Sequence, residues 1–179
     1  MCQFIQVIYN PQLTLFRNLH YIPNIKACYE KYSKYLQDDF SNGDFYSYIE
    51  GVSPYMWVIL DYKGVFMGFA SLDNFIGNGT HKYSAELTTC FDKKAWGSFT
   101  RYSAKFFLKK CFDELGLYKI KANIYPDNFR VSTLLKYAGF KYETTIPEET
   151  LRFGKPQDID QYALYRTYYY NEVKNEYKK

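Results

Sequence analysis

The stretch ELTTCFDKKAWGSFTRYSAKFFLKKCFDELGLYKIKANIYPDNFRVSTLLKYAGF, residues 86–140, decides the fold: it reads without a gap as strand, turn, helix, strand and helix. A first strand is expected over Tyr83–Phe91. The turn Asp92-Lys93-Lys94-Ala95-Trp96-Gly97-Ser98 leads into a helix with apolar positions at Ala104, Phe107, Leu108, Cys111, Phe112 and Leu115, the spacing of one buried stripe. Gly116 stands where a left-handed C-terminal cap belongs. Ile120, Ala122 and Ile124 then alternate with Lys119, Lys121, Asn123 and Tyr125, which predicts a strand with one buried face. Pro126-Asp127-Asn128 breaks that strand and supplies an N-cap, and Val131, Leu134, Leu135 and Ala138 form a second stripe that Gly139 ends before Phe140. A strand, a crossover helix and another strand favour neighbouring parallel strands joined right-handedly.

Upstream, Gln3–Tyr9 reads as a strand stopped by Asn10-Pro11. Pro23-Asn24 opens a surface helix with Ile25, Cys28, Tyr29, Tyr32, Leu36 and Phe40 on one side. Ser41-Asn42-Gly43-Asp44 is a turn, and Phe45–Glu50 a short helix ended by Gly51 and Pro54. Tyr55–Asp61 and Val65–Leu72 form a hairpin around Tyr62-Lys63-Gly64, with Gly68 marking a bulge or a close backbone approach. Asn74–His81 reads as a loop. Downstream, strands are expected over Lys141–Thr145, Thr150–Phe153 and Gln161–Tyr168, broken by an acidic turn at Pro147-Glu148-Glu149 and a second turn at Gly154-Lys155-Pro156. The expectation is one domain over residues 1–168, followed by a frayed charged tail from Tyr169 to Lys179.

A chain of 179 residues with 47% apolar content closes one core comfortably. No apolar run approaches the roughly 20 residues of a membrane span, and Met1–Asn10 lacks the pattern of a signal peptide, so a cytoplasmic protein is expected. The four cysteines, at 2, 28, 90 and 111, show no CxxC and no cluster with histidine, which points to reduced core thiols rather than to a zinc or redox site. The formal charge of +4 is spread along the chain instead of concentrated in a basic run, so no nucleic-acid face is indicated. The 21 tyrosines and 15 phenylalanines match what an AT-rich coding sequence imposes and carry little about function.

The element order, with Ala85-Glu86-Leu87, Trp96-Gly97, Ala104, Cys111-Phe112, Leu115-Gly116-Leu117, Lys119-Ile120, Asn128, Leu135 and Gly139-Phe140, resembles the GNAT superfamily of acyl-CoA-dependent N-acyltransferases. Within it the landmarks are similar to the ribosomal-protein-acetylating branch. Tyr83–Glu86, Ala138-Gly139-Phe140 and Thr150–Asp158 resemble GNAT-like proteins of tailed bacteriophages more closely still. The likeness covers residues 50–168. It implies an α/β (α+β) fold: a mixed, mostly antiparallel central sheet with flanking helices and one splayed parallel pair, formed by the strands of Glu86 and Ile120. It also implies acetyl-CoA as donor and an amine or a protein N-terminus as acceptor, with Thr88, Cys90, Trp96, Gly97, Ser98, Phe99, Thr100, Arg101 and Asn128 binding the cofactor.

Acyl transfer to an amine needs a base and groups that polarise the thioester carbonyl. Glu86 is the candidate base, although a half-exposed strand glutamate is also an ordinary cross-strand partner. The helix start at 96–101, with Lys93, Lys94 and Arg101 nearby, suits a pyrophosphate, or is simply a tight strand-to-helix connection. Phe99 and Arg101 depart from the family pattern, in which small residues let the cofactor phosphates approach the backbone, and both weaken the expected acetyl-CoA site. Val131 and Leu135 replace the family's hydroxyl groups on the second helix, leaving Tyr125 and Tyr137 as candidate acids or as plain core and rim tyrosines. Cys90 has no histidine near it in sequence to activate it. Asn128 serves the cofactor arm or caps its helix. Three readings follow: an active N-acetyltransferase, an inactive GNAT-fold structural or assembly component binding protein partners in a phage particle, and a binding module for which no motif speaks. The second would act in the virion or the host cytoplasm.

Overall fold

The computed structural model describes residues 2–36, 45–78 and 80–176. Among the described residues, eight strands and five α-helices follow one another: β1 (Cys2–Asn10), β2 (Leu15–Arg17), α1 (Ile22–Tyr32), α2 (Phe45–Val52), β3 (Met56–Asp61), β4 (Phe66–Gly77), β5 (Lys82–Phe91), α3 (Ser98–Asp113), β6 (Lys119–Ile124), α4 (Phe129–Tyr137), β7 (Lys141–Arg152), β8 (Lys155–Tyr165) and α5 (Arg166–Glu176). Hydrogen bonding links the strands in the order β2-β1-β3-β4-β5-β6-β8-β7. The mixed sheet expected from the sequence is present, with β5 and β6 as its parallel pair. The chain forms two compact units, Met1–Asp73 with Thr88–Ser103, and Asn74–Leu87 with Ala104–Lys179.

In the first unit, α1 and α2 bury one apolar side each against β1, β3 and β4. Ile22, Ile25, Cys28 and Tyr29 of α1 share a core with Phe45, Tyr48, Ile49 and Val52 of α2 and with Val7, Met56, Val58, Leu60 and Phe69. Tyr32 and Leu36 of the expected stripe pack at its margin, whereas Phe40 and the turn Ser41–Asp44 lie outside the described residues. Met56–Leu60 are buried throughout, so β3 reads as a continuous apolar run instead of an alternating one. Asp61 closes the β3–β4 hairpin: its carboxylate accepts from the N–H groups of Lys63 and Val65, and Gly64 takes a φ of +79°.

Gly68 shows both features expected of it. The register slips between Ile59 and Leu60 opposite it, and a Cβ there would lie 2.4 Å from the carbonyl oxygen of Cys90 and 2.9 Å from the Cα of Phe91.

In the second unit, alternation sorts β6 as predicted, with Ile120, Ala122 and Ile124 buried. The buried stripe of α3 continues through Phe107, Leu108, Cys111 and Phe112, and Gly116 sits at φ +70° beyond the helix end. Asn128 caps α4, its side-chain oxygen accepting from the N–H of Val131 at 3.4 Å.

Four boundaries depart from the sequence reading. The first half of the stretch read as a loop at Asn74–His81 is strand, because β4 runs on to Gly77 and leaves a short turn in which Asn78 Oδ1 accepts from the N–H groups of Thr80 and His81. The acidic segment Pro147–Glu149 is no turn: β7 is unbroken, and its register slips between Ile146 and Thr150, where Glu148 takes a φ of +51° and donates its N–H to Asp158. The reversal lies at Phe153-Gly154, both at positive φ, so β8 spans Lys155–Tyr165 and not the expected Gln161–Tyr168. The segment from Tyr169 is helical through Glu176 because its tyrosines find partners: Tyr169 is buried, its ring 5.2 Å from that of Phe112, and its hydroxyl donates to the carbonyl of Lys105.

Since no rotamer change relieves a clash between a Cβ and backbone atoms, Gly68→Ala should cost about 2 kcal/mol. Thermal melts should show the midpoint falling by roughly 4–8 °C; an unchanged midpoint would mean that β5 moves away at little cost.

Candidate active site

Glu86 faces Lys121 in the last of three parallel pairs, Ser84 with Lys119, Ala85 with Ile120 and Glu86 with Lys121, although β5 continues to Phe91 and β6 to Ile124. Asn123, two residues past the last pair, points to the same side as Lys121 and reaches back. Its amide nitrogen donates to Glu86 Oε1 at 2.9 Å. From β4, Asn74 Nδ2 donates to Glu86 Oε2 at 3.2 Å. Gln161, the register partner of Asn123 on β8, donates to the Asn123 carbonyl at 3.2 Å. Glu86 therefore holds an acceptor-only carboxylate oriented by one neutral donor on each oxygen, with lone pairs left for a further donor.

The same face carries a second charged group. Lys119 Nζ donates to both carboxylate oxygens of Glu143 at 2.7 and 2.8 Å, and the Tyr165 hydroxyl donates to one of them at 2.8 Å. Partial burial pushes the Glu143 carboxyl up, but the bonds from Lys119 and Tyr165 outweigh it and leave the group below the usual carboxylate range. Partial burial likewise lowers Lys119, an effect that its bonds to Glu143 and Tyr165 more than reverse, leaving it raised.

In the first unit, the segment leading into α3 is tied down by its own side chains. Asp92 accepts from the N–H of Lys94 and from Lys31 Nζ, the Trp96 indole donates to the carbonyl of Phe91 at 3.1 Å, and the Thr100 hydroxyl donates to the carbonyl of Ala95 at 2.7 Å. Gly97 takes a φ of +103°, with nothing within 4 Å of where a Cβ would stand. Ser98 and Arg101 are exposed and Phe99 is half-buried. The first turn of α3 presents amide N–H groups that have no carbonyl of their own helix to bond.

Tyr125, placed by the sequence on the solvent side of β6, is buried instead: the strand stops at Ile124, and the Arg152 guanidinium lies 4.4 Å from its ring centre. Arg152 also grips both oxygens of Asp127 at 2.9 Å. Tyr137, at the end of α4, is exposed, with Lys105 Nζ 5.8 Å from its ring centre. Neither tyrosine is a hydrogen-bond partner of Glu86 among the described residues. Thr88 is half-buried. Cys90 is buried with its sulfur 3.6 Å from that of Cys28, a contact that lowers the Cys28 thiol and raises that of Cys90. The sequence offered no sign of this pairing, nor of Asn74 and Asn123 as partners of Glu86 or of Gln161 as partner of Asn123. Strand register alone brings them together.

The family model of the acetyltransferase (GNAT) domain matches residues 14–141. The chain belongs to the GNAT acetyltransferase family. Among solved structures, the Vibrio cholerae spermidine N-acetyltransferase in complex with CoA and spermine is similar to this GNAT chain at 21% identity and a TM-score of 0.74, covering 95% of this chain and 98% of its own. A point variant of the same Vibrio cholerae enzyme gives 19% identity, a TM-score of 0.74 and coverage of 96% and 98%. At these identities the likeness is one of fold. No curated protein sequence matches the chain. Among the described residues of this GNAT protein, no helix is long and apolar enough to cross a membrane.

The Glu143 group makes its own pH signature. A carboxyl lowered in the folded state adds stability that is present above its unfolded pKa and is lost as pH falls through the folded one; a raised lysine adds stability that is lost only on the alkaline side. Glu143→Gln should therefore destabilise by about 1 kcal/mol at pH 7. Urea midpoints of the two proteins should converge below about pH 4, and a gap that persisted at pH 3 would remove the carboxylate as its source.

Proposed function

We propose that this protein transfers an acetyl group from acetyl-CoA to an amine, with Glu86 as general base. The observation that carries the reading is the Glu86 carboxylate, held by Asn74 and Asn123 on a face of the sheet that also bears Lys119, Lys121 and Glu143. A carboxylate so placed accepts a proton from an ammonium group and leaves the amine lone pair to attack a carbonyl carbon. Polyamines and protein N-termini are the acceptors to try first: the former accompany CoA in a structural neighbour, the latter follow from the likeness to the ribosomal-protein-acetylating branch.

Acetyl-CoA, when bound, supplies the activated thioester. The residues of the α3 start fit its phosphates: Gly97 leaves open space at the turn, α3 is a sixteen-residue helix, and Ser98, Thr100 and Arg101 stand in its first turn. Phe99 takes the place of a glycine there and narrows the approach. Trp96 and Thr100 hold the turn in shape, Asn128 secures the start of α4, and Thr88 and Cys90 line β5. Tyr137, the exposed one of the two acid candidates, is the group assigned to protonate the leaving thiolate.

The half-buried Phe99 favours one second reading, an inactive GNAT-fold assembly component, plausible for a phage particle, in which the ring fills space meant for cofactor. Calorimetry with acetyl-CoA, together with thermal melts of wild type and Phe99→Gly, separates the two. Micromolar binding by wild type supports the enzyme, whereas no binding by either protein, with a lowered midpoint for the variant, supports the inactive component. For an active protein, Glu86→Gln should lower kcat about 10²- to 10⁴-fold at neutral pH while acetyl-CoA affinity stays within about twofold. An equal loss of cofactor binding would make Glu86 structural.

A further inference from the structure

We propose that Asn123 and Gln161 are positioning residues that fix the direction of the Glu86 carboxylate through a one-way chain of amides. This rests on the reading of Glu86 as base. Each side-chain amide has a donor end and an acceptor end, so a row of them can run in either direction. Here the direction is set at one end by chemistry, since a carboxylate only accepts. Asn123 must therefore turn its nitrogen to Glu86 Oε1, 2.9 Å away, which turns its oxygen to β8, where Gln161 Nε2 donates to it at 3.2 Å. Reversing either amide would set oxygen against oxygen or nitrogen against nitrogen.

Sheet geometry makes the chain reachable. Asn123 and Gln161 are direct register partners across β6 and β8, and Glu86 is the partner of Lys121, two residues before Asn123 on the same face. Such diagonal neighbours are roughly 7–8 Å apart at the backbone, within the combined reach of a glutamate and an asparagine. Asn74 holds the other carboxylate oxygen at 3.2 Å, so both oxygens are committed to neutral donors and neither is neutralised by an ion pair. The arrangement keeps the carboxylate oriented yet available to an incoming ammonium. The charged groups on the surrounding elements include Lys121 opposite Glu86, Lys119 with Glu143 farther along the face, Lys82 on β5 itself, Lys141 on β7, Asp160 beside Gln161 on β8 and Asp73 before Asn74 on β4.

Gln161→Glu tests the direction of the chain. A glutamate at 161 accepts only, so Asn123 must donate to it and present its oxygen to Glu86. Thr144→Glu is the charge control, because Thr144 is the exposed β7 register partner of Gln161, so the same charge is added beside the chain while both amides keep their donor and acceptor ends. Two readouts are taken on the full-length protein: the acid limb of kcat/KM for acetyl transfer to a primary amine, and the carbon-13 titration of the Glu86 carboxyl. Gln161→Glu should move both upward by about one pH unit. The apparent KM for acetyl-CoA should stay within twofold, and Thr144→Glu should move neither pH readout by more than a third as much. Asn123→Asp, which sets two carboxylates side by side, should move both farther than Gln161→Glu; should Gln161→Glu fail to fold, it takes that variant's place against the same control. Equal shifts in the test variant and Thr144→Glu would reduce the effect to charge alone and overturn the proposal, as would an unmoved Glu86 titration. A wild-type protein without acetyl transfer would sink the proposed function but leave the titration to decide whether the chain exists.

Discussion

Pairing between β5 and β6 ends at Glu86 and Lys121, while β6 stays paired with β8 as far as Ile124 and Asp160. That difference of register is the constraint on which the candidate site depends. A strand must satisfy its backbone groups along both edges, and β6 does so with two partners over its first half and with β8 beyond it. Asn123 lies in the second half, so its side chain is free to bend back over the last parallel pair and meet Glu86. Had the parallel ladder continued in register, Thr88 would stand directly opposite Asn123 and share the space into which that side chain now bends.

Alternation along β6 then separates two tasks. Ile120, Ala122 and Ile124 are buried in the core, and Lys119, Lys121 and Asn123 carry the polar face, where burial is partial and every charged contact is part-solvated. On that face Lys119 satisfies Glu143 directly, and Glu86 is left to neutral amides. Two carboxylates on one face are thus given different partners: Glu143 is tied into an ion pair and Glu86 is held by neutral amides.

The turn into α3 shows a different balance. Its polar side chains bond back to the local backbone, which gives the segment a defined shape, and Gly97 opens space that no other residue type would leave. Phe99 breaks the pattern by placing a half-buried ring in the first turn. A ligand at this helix start would meet the Phe99 ring as well as the first-turn amides, which follow from helix geometry.

Much of the fold was legible from local signals. The apolar stripe of α3, the alternation of β6, the caps at Gly116 and Asn128, and the bulge at Gly68 all follow from spacing and from residue chemistry acting within a few positions. Glu86 was legible as a candidate base for the same reason. The course of β4 to Gly77 and the unbroken β7 were not, because asparagine, glycine and proline signal turns that neighbouring strands can overrule by supplying hydrogen-bond partners. Tyr125 turned inward because Arg152, twenty-seven positions on in the sequence, lies over its ring, and Tyr169 became helical and buried because Phe112 and Lys105 accommodate it. Sequence by itself determined which residues are able to form strands, helices and a base, since those capacities reside in single side chains and their near neighbours. Only the tertiary structure decided that Asn74 and Asn123 converge on Glu86, that Gln161 meets Asn123 and that Cys28 meets Cys90, because such meetings depend on strand register and helix placement between residues 12 to 62 positions apart.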